Sequence, residues 1–265
     1  MNFELSEEQK MIQQSVERFV QENYDLPKRV ELSSQDPGYS KEYWNSMAEL
    51  GWLGLPFTED VGGFGGNQID TLVIMEQFGK GLVLEPFLAN IVLGGGAIQM
   101  GGSEELKNEM LSSLIEGSKQ LTLAYAEQQS RFDLEDVATS ARKEGEKYII
   151  NGQKSMVLNA ESADHLVVVT RTNGGQVDEE GITLFLVDSD SKGLEKSNFP
   201  TVDGLRASEI NFDNVEVSSE RMIGDLDKGF NILRTVTNNA ILALCAEAVG
   251  AMEVLYKDTV EYTQQ

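Results

Sequence analysis

The chain has 265 residues, 40% of them apolar, enough for one large domain or two modest ones around a sizeable core. Its 21 Lys and Arg against 44 Asp and Glu leave a net charge of −23, which repels phosphate backbones and argues against nucleic acid and anionic membranes as partners. One cysteine, Cys245, and one histidine, His165, exclude an intrachain disulfide framework and thiolate–imidazole metal sites.

The opening MNFELSEEQK has no basic stretch ahead of an apolar run, so no secretory or transit signal is expected. No apolar run approaches the roughly 20 residues of a membrane span. A cytoplasmic protein without membrane insertion is the expectation. Ser6-Glu7-Glu8-Gln9 reads as a capping box, and Met11, Ile12, Val16, Phe19 and Val20 then recur at helical spacing, with Pro27 as the stop. A second helix is predicted over 41–50 with Gly51 just past it, and a third over 69–78. A fourth, apolar and interrupted by glycines, covers 86–100, and a fifth, capped by Ser103, ends at Gly117. No heptad persists, so these are bundle helices. The run Val61-Gly62-Gly63-Phe64-Gly65-Gly66 lacks a preceding strand and a following GK[ST], so it reads as a turn between helices and not as a phosphate loop.

From about residue 120 the pattern changes to β-rich runs at 121–125, 137–143, 148–150, 153–158, 166–170, 182–187 and 209–215, spaced by turn residues. Seven such strands predict an antiparallel sandwich or barrel. Asn151-Gly152 between apolar runs predicts a hairpin turn. His165 heads the run 166–169, where a plain strand-end role is expected and a Ser-His-Asp mechanism is not. A single helix over 229–265 follows, with Gly250 set among small residues that favour close packing. It reaches Gln264-Gln265 without a capping residue, as though cut mid-helix. The expected class is α+β: an N-terminal helical domain (1–119), a middle β domain (120–225) and the first helix of a C-terminal bundle (226–265).

That order, and several segments within it, resembles the acyl-CoA dehydrogenase family. Trp52-Leu53-Gly54-Leu55-Pro56 and Met75-Glu76-Gln77-Phe78-Gly79 are similar to its helical domain. Residues 148–159 (YIINGQKSMVLN) resemble its "yIiNGqK-x-W-I-T-N" strand pair. The stretch 212–217, then Ile223-Gly224-Asp225 and Gly229-Phe230, resembles its passage from sheet to C-terminal bundle. The resemblance implies noncovalent FAD, α,β-dehydrogenation of an acyl-CoA thioester, an electron-accepting flavoprotein partner and a homo- or hetero-oligomer, tetrameric in the family.

Carried over residue by residue, the family's flavin loop "T-E-P-x-x-x-S-D" falls on 126–133. Glu127 and Asp133 are kept, while Ala126 stands for the threonine, Gln128 for the proline and Phe132 for the serine. The implied cofactor-binding residues are Leu123, Ala124, Tyr125, Ala126, Glu127, Phe132, Met156, Val157 and Leu158. Met156 stands for a tryptophan and Leu158 for a threonine, so the strand 153–158 either lies along the flavin or fills a core. Arg131, Phe132, Asn238 and Ile241 are the implied substrate contacts. Arg131 offers a charge to CoA or FAD phosphates, and Phe132 either narrows a channel or packs.

The family's base, where it lies early in the first C-terminal helix, falls on Ala240, so a base is expected beyond residue 265 or not at all. Glu247 sits seven residues further, roughly 10 Å along a helix. It reads as an acid at the end of a pocket or as a hydrogen-bonded structural one. Cys245 reads as a packing residue. A non-catalytic partner subunit and a related FAD-dependent oxidase or hydroxylase are the rival readings.

Overall fold

A computed structural model describes residues 4–264. Helix α1 (Glu7–Asn23) starts at the capping box: Ser6 Oγ accepts from the Gln9 N–H at 3.1 Å and Gln9 Oε1 accepts from the Ser6 N–H at 3.0 Å. Pro27 does not stop it. α1 ends at Asn23, and Pro27 lies in the first turn of α2 (Leu26–Ser33), where a missing N–H has no intrahelical partner to lose. Helix α3 (Lys41–Glu49) is followed by Gly51 at φ +80°, as its sequence requires.

The glycine-rich run is a turn between a 3₁₀ segment (Glu59–Val61) and α4 (Gln68–Gly81). A Cβ on Gly63 would lie 2.2 Å from the Phe57 carbonyl oxygen, so backbone packing alone accounts for that glycine. The apolar fourth segment is a π-helix (Leu88–Gly95) running into α5 (Gly96–Gly101). Its Asn90 receives the Leu121 N–H at 2.6 Å and so ties the helical block to the first strand. Ser103 caps α6 (Glu104–Ile115).

Eight strands follow: β1 (Leu121–Ala124), β2 (Ser140–Glu144), β3 (Lys147–Leu158), β4 (His165–Arg171), β5 (Ile182–Asp188), β6 (Leu194–Pro200), β7 (Arg206–Ser218) and β8 (Met222–Ile223). Their order is β6-β7-β3-β2-β4-β5-β8, with β1 on β4. Most pairs are antiparallel, but β1 runs parallel to β4, so the sheet is mixed.

The hairpin expected at Asn151-Gly152 does not form. The chain runs straight through as β3, with a register shift against β7 between Ile150 and Gly152. The Asn151 side chain accepts from the Asn214 N–H at 2.9 Å, holding β7 at the shift instead of turning the chain. The turn that joins β2 to β3 carries Gly145 at φ +63°.

β6 has no counterpart in the sequence reading. Its residues LEKSNFP are polar and largely exposed, and it pairs only with β7 at the sheet edge, so no apolar alternation marks it. β4 and β5 read as unbroken apolar runs because both faces are covered. Val167, Val169, Leu184 and Leu186 belong to the core shared with the helices. Leu166, Val168, Phe185 and Val187 belong to a second core, enclosed with β3 and β7. His165 is the first residue of β4, with Nδ1 2.8 Å from Asp188 directly opposite.

Helix α7 (Phe230–Thr263) packs along α4 at backbone distance. A Cβ on Gly79 would meet the Glu247 carbonyl oxygen at 1.9 Å, and one on Gly250 would meet that of Glu76 at 1.9 Å. The Lys80–Glu253 ion pair, at 3.1 Å, closes the same crossing. The expectation that no apolar stretch reaches membrane-spanning length needs correction here. α7 is long and apolar enough to cross a membrane by length and composition alone. What its inner face meets is protein. Gln264 closes this helix, and Gln265 lies outside the described residues.

Candidate active-site cleft

Two structural devices meet at the end of β3. The first is a buried network behind the loop that leaves β1. Lys154 is fully buried and points inward from β3, donating to Glu127 Oε1 at 2.6 Å and to the Tyr125 carbonyl at 3.2 Å. The Glu127 carboxylate also accepts from the Ala138 and Thr139 N–H groups (2.9 and 3.1 Å) and from Gln129 Nε2 at 2.8 Å. Burial pushes the Glu127 carboxyl up, but Lys154 and these donors more than offset it and hold it below the usual carboxylate range. Burial pushes Lys154 down to about 8, against the pull of Glu127.

Both ends of the loop are thus fixed to one ion pair, and Arg171 fastens its far side to the β4–β5 connection by donating to the Glu135 and Gln176 carbonyls (2.7 and 2.8 Å). Ser155 N–H holds the Ala126 carbonyl at 2.8 Å. The Ala126 and Phe132 N–H groups donate to no protein acceptor among the described residues, which leaves them for a ligand or solvent.

The second device is a bulge in β3. Its register against β7 shifts between Lys154 and Val157, and Met156 stands at φ +51°. The shift lets Lys154 and Val157 both point inward while Met156 stays 51% exposed. Met156 therefore does not fill a core. Leu158 and Asn159 continue from there into a cleft between sheet and helices.

The cleft's walls are Met75, Phe78, Val83, Leu84, Phe87 and Leu244. Among them lies Glu85, 5% exposed, whose Oε2 accepts from the Tyr24 hydroxyl and whose Oε1 accepts from the Ser40 N–H at 3.1 Å. Burial, only partly offset by these donors, pushes its carboxyl up to about 7. Asn159 donates to Gln120 Oε1 at 2.8 Å, and Gln120 donates to the Tyr39 hydroxyl at 2.6 Å, so the polar rim of the cleft is preset.

The model of the acyl-CoA dehydrogenase N-terminal domain matches residues 6–118, and that of the acyl-CoA dehydrogenase middle domain matches 122–215. The chain belongs to the acyl-CoA dehydrogenase family.

It is 28% identical over 270 residues to a probable acyl-CoA dehydrogenase, YngJ, of Bacillus subtilis (strain 168), covering 100% of this chain and 70% of that one. Among solved structures it is similar to the butyryl-CoA dehydrogenase of Megasphaera elsdenii (TM-score 0.88, 26% identity, 100% of this chain and 71% of that one). It is also similar to an FAD complex of PigA (TM-score 0.90, 27% identity, 99% and 70%). The chain thus spans about 70% of the length of each of these relatives.

On this acyl-CoA dehydrogenase framework the residues singled out from sequence divide clearly. Tyr125, Ala126, Met156 and Leu158 are accessible along one border, and Leu158 enters the cleft. Leu123, Ala124 and Val157 are core residues, 2%, 0% and 2% exposed, so their side chains support the site from behind. Glu127 likewise faces inward, toward Lys154.

Phe132 is 97% exposed and Arg131 is exposed, so the alternative in which Phe132 packs is not met among the described residues. The reason is local. Arg131 takes the left-handed conformation (φ +49°), and the tight turn closed by Asp133 N–H on the Ser130 carbonyl at 2.8 Å throws the neighbouring side chain outward. Asn238 and Ile241 lie exposed on α7 and do not line this cleft, where the α7 residues are Leu244, itself 46% exposed, and Glu247. Ala240 is buried at 6% and carries no proton acceptor.

Lys154 and Glu85 were missed. An inward lysine in an alternating strand was the available signal for the first. Nothing in Leu84-Glu85-Pro86 announces the second.

Proposed function

We propose that the chain carries the flavin-contacting and acyl-binding part of an FAD-dependent enzyme that oxidises an acyl-CoA thioester to the trans-2-enoyl thioester. The observation that carries this reading is the meeting of an exposed Met156, the unspent N–H of Ala126, whose carbonyl is held by Ser155, and a mostly apolar cleft at one end of β3. FAD fits that border: the free Ala126 N–H suits one of its acceptor atoms and the Met156 thioether suits a flat, polarizable ring. When bound, the flavin supplies the hydride acceptor.

The chain's own contribution is placement. Leu158, Phe78, Phe87 and Leu244 enclose an acyl chain and exclude water, so that a weakly acidic α proton is presented to a base in a dry site. Ala240 is not that base. An electron-accepting flavoprotein and an oligomeric assembly complete the proposal.

A second reading, a non-catalytic partner subunit of a heteromeric dehydrogenase, is favoured by Ala240 and by Leu158, which offers no hydroxyl. Purified protein decides between them. The first reading expects visible flavin absorbance that an acyl-CoA bleaches without oxygen. It also expects Met156→Asp to expel the flavin while unfolding stability stays within about 0.5 kcal/mol, because the side chain is exposed without ligand. A folded wild type that takes up no flavin would move the assignment to the partner subunit.

A further inference from the structure

Among the described residues, one charged group of the acyl cleft has no hydrogen-bond or ion-pair partner. Glu85 is satisfied by Tyr24 and Ser40. Asp203 Oδ1 accepts from Thr201 Oγ1 and from the Leu205 N–H at 3.2 Å. Arg206 donates to the Ser33 and Gln35 carbonyls at 3.1 and 3.2 Å. Glu247 lines the same cleft, half-buried, and makes no hydrogen bond or ion pair among the described residues. Its backbone is fixed in the wall, because its own carbonyl lies against Gly79, where α4 and α7 touch backbone to backbone. Its cleft neighbours Met75, Phe78 and Leu244 are apolar and offer no donor. Burial, with a further push from Asp203, raises the Glu247 carboxyl above the usual range, against the opposing charge of Arg29.

A carboxyl group held in an apolar wall loses solvent hydrogen bonds when an alkyl chain fills the cleft, unless the chain brings a donor. We infer that Glu247 selects acyl chains carrying a hydrogen-bond donor, a hydroxyl or an ammonium, on the distal part that lies against α7. The inference rests on the cleft being the acyl site, as proposed above, and adds the class of acyl group it prefers. An ω-carboxylate chain is the disfavoured case at that wall, since its charge would meet that of Glu247.

The test is calorimetric binding to the purified full chain of butanoyl-, hexanoyl- and octanoyl-CoA and of their terminal-hydroxyl and terminal-amino counterparts. At the length that reaches Glu247, the donor-bearing chain should bind about tenfold or more tighter than the methyl-ended one. Glu247→Leu should invert that order. Glu247→Gln should keep the hydroxyl preference, since the amide oxygen still accepts, and lose the amino preference. Methyl-ended chains preferred at every length, or a donor preference that survives Glu247→Leu, would overturn the selection by Glu247 and leave the acyl site standing. Absence of binding by every acyl-CoA would overturn both.

Discussion

Two glutamates lie equally deep on opposite sides of the site, and they are stabilised in opposite ways. Glu127, behind the loop after β1, is 5% exposed and paired with a fully buried lysine. Glu85, in the cleft wall, is also 5% exposed but is answered only by neutral donors, the Tyr24 hydroxyl and the Ser40 N–H. A cation at 2.6 Å keeps the first ionised, whereas the second is pushed up to about 7. Burial alone therefore does not set the charge of a carboxyl; the partner does. The loop side is a fixed ionic clasp that holds backbone, and the cleft side is a wall whose charge changes near neutrality.

Breaking the clasp should have the largest effect. Lys154→Met leaves the Glu127 carboxylate buried without its cation, and removal of one member of a buried pair costs about 3–5 kcal/mol. Denaturant unfolding should show that loss in the midpoint. Flavin uptake should fall with it, because Ala126 and its neighbours lose their anchor. A loss under about 1 kcal/mol would mean that the loop does not depend on the pair.

The cleft wall should reveal itself through pH. Glu85 binds its proton more tightly folded than unfolded, so the folded state holds more protons between pH 4.5 and about 7. Its contribution is full below the unfolded value and is lost as pH rises through about 7, on the order of 3 kcal/mol in total. Glu127 runs the other way. Its contribution is present above the unfolded carboxylate range and is lost as pH falls through its depressed folded value. Subtracting the stability–pH curve of Glu85→Gln from that of the wild type isolates the first effect. A flat difference between pH 5 and 8 would show that Glu85 does not titrate in this window.

The smallest effect is expected at Phe132, on the same loop as Glu127. At 97% exposure, Phe132→Ala should move unfolding stability by no more than about 0.5 kcal/mol, whereas a packed phenylalanine would cost about 3–5 kcal/mol. That contrast sharpens the division of the loop into an anchored base and an outward tip.

The order of helices, sheet and helix is legible along the chain, because it is written in local periodicity. Ser6 and Ser103 cap where a hydroxyl meets orphan N–H groups. The run Leu166–Val169 forms a strand, and Gly250 marks a close crossing. Glu247 was legible as an acid at a pocket end or a structural one, and only the fold chose between them, by placing it in the cleft with no partner.

Asn151-Gly152 shows where local reading stops. The dipeptide favours a turn, yet β7 supplies Asn214 at the right place and pairing across 63 residues keeps the chain extended. β6 was invisible because an edge strand needs no apolar pattern once β7 offers a ladder. The sites of Glu85 and Lys154 were decided the same way. Tyr24 lies 61 residues from Glu85 and Glu127 lies 27 residues from Lys154, and whether a buried charge is answered depends on which distant groups the fold brings beside it.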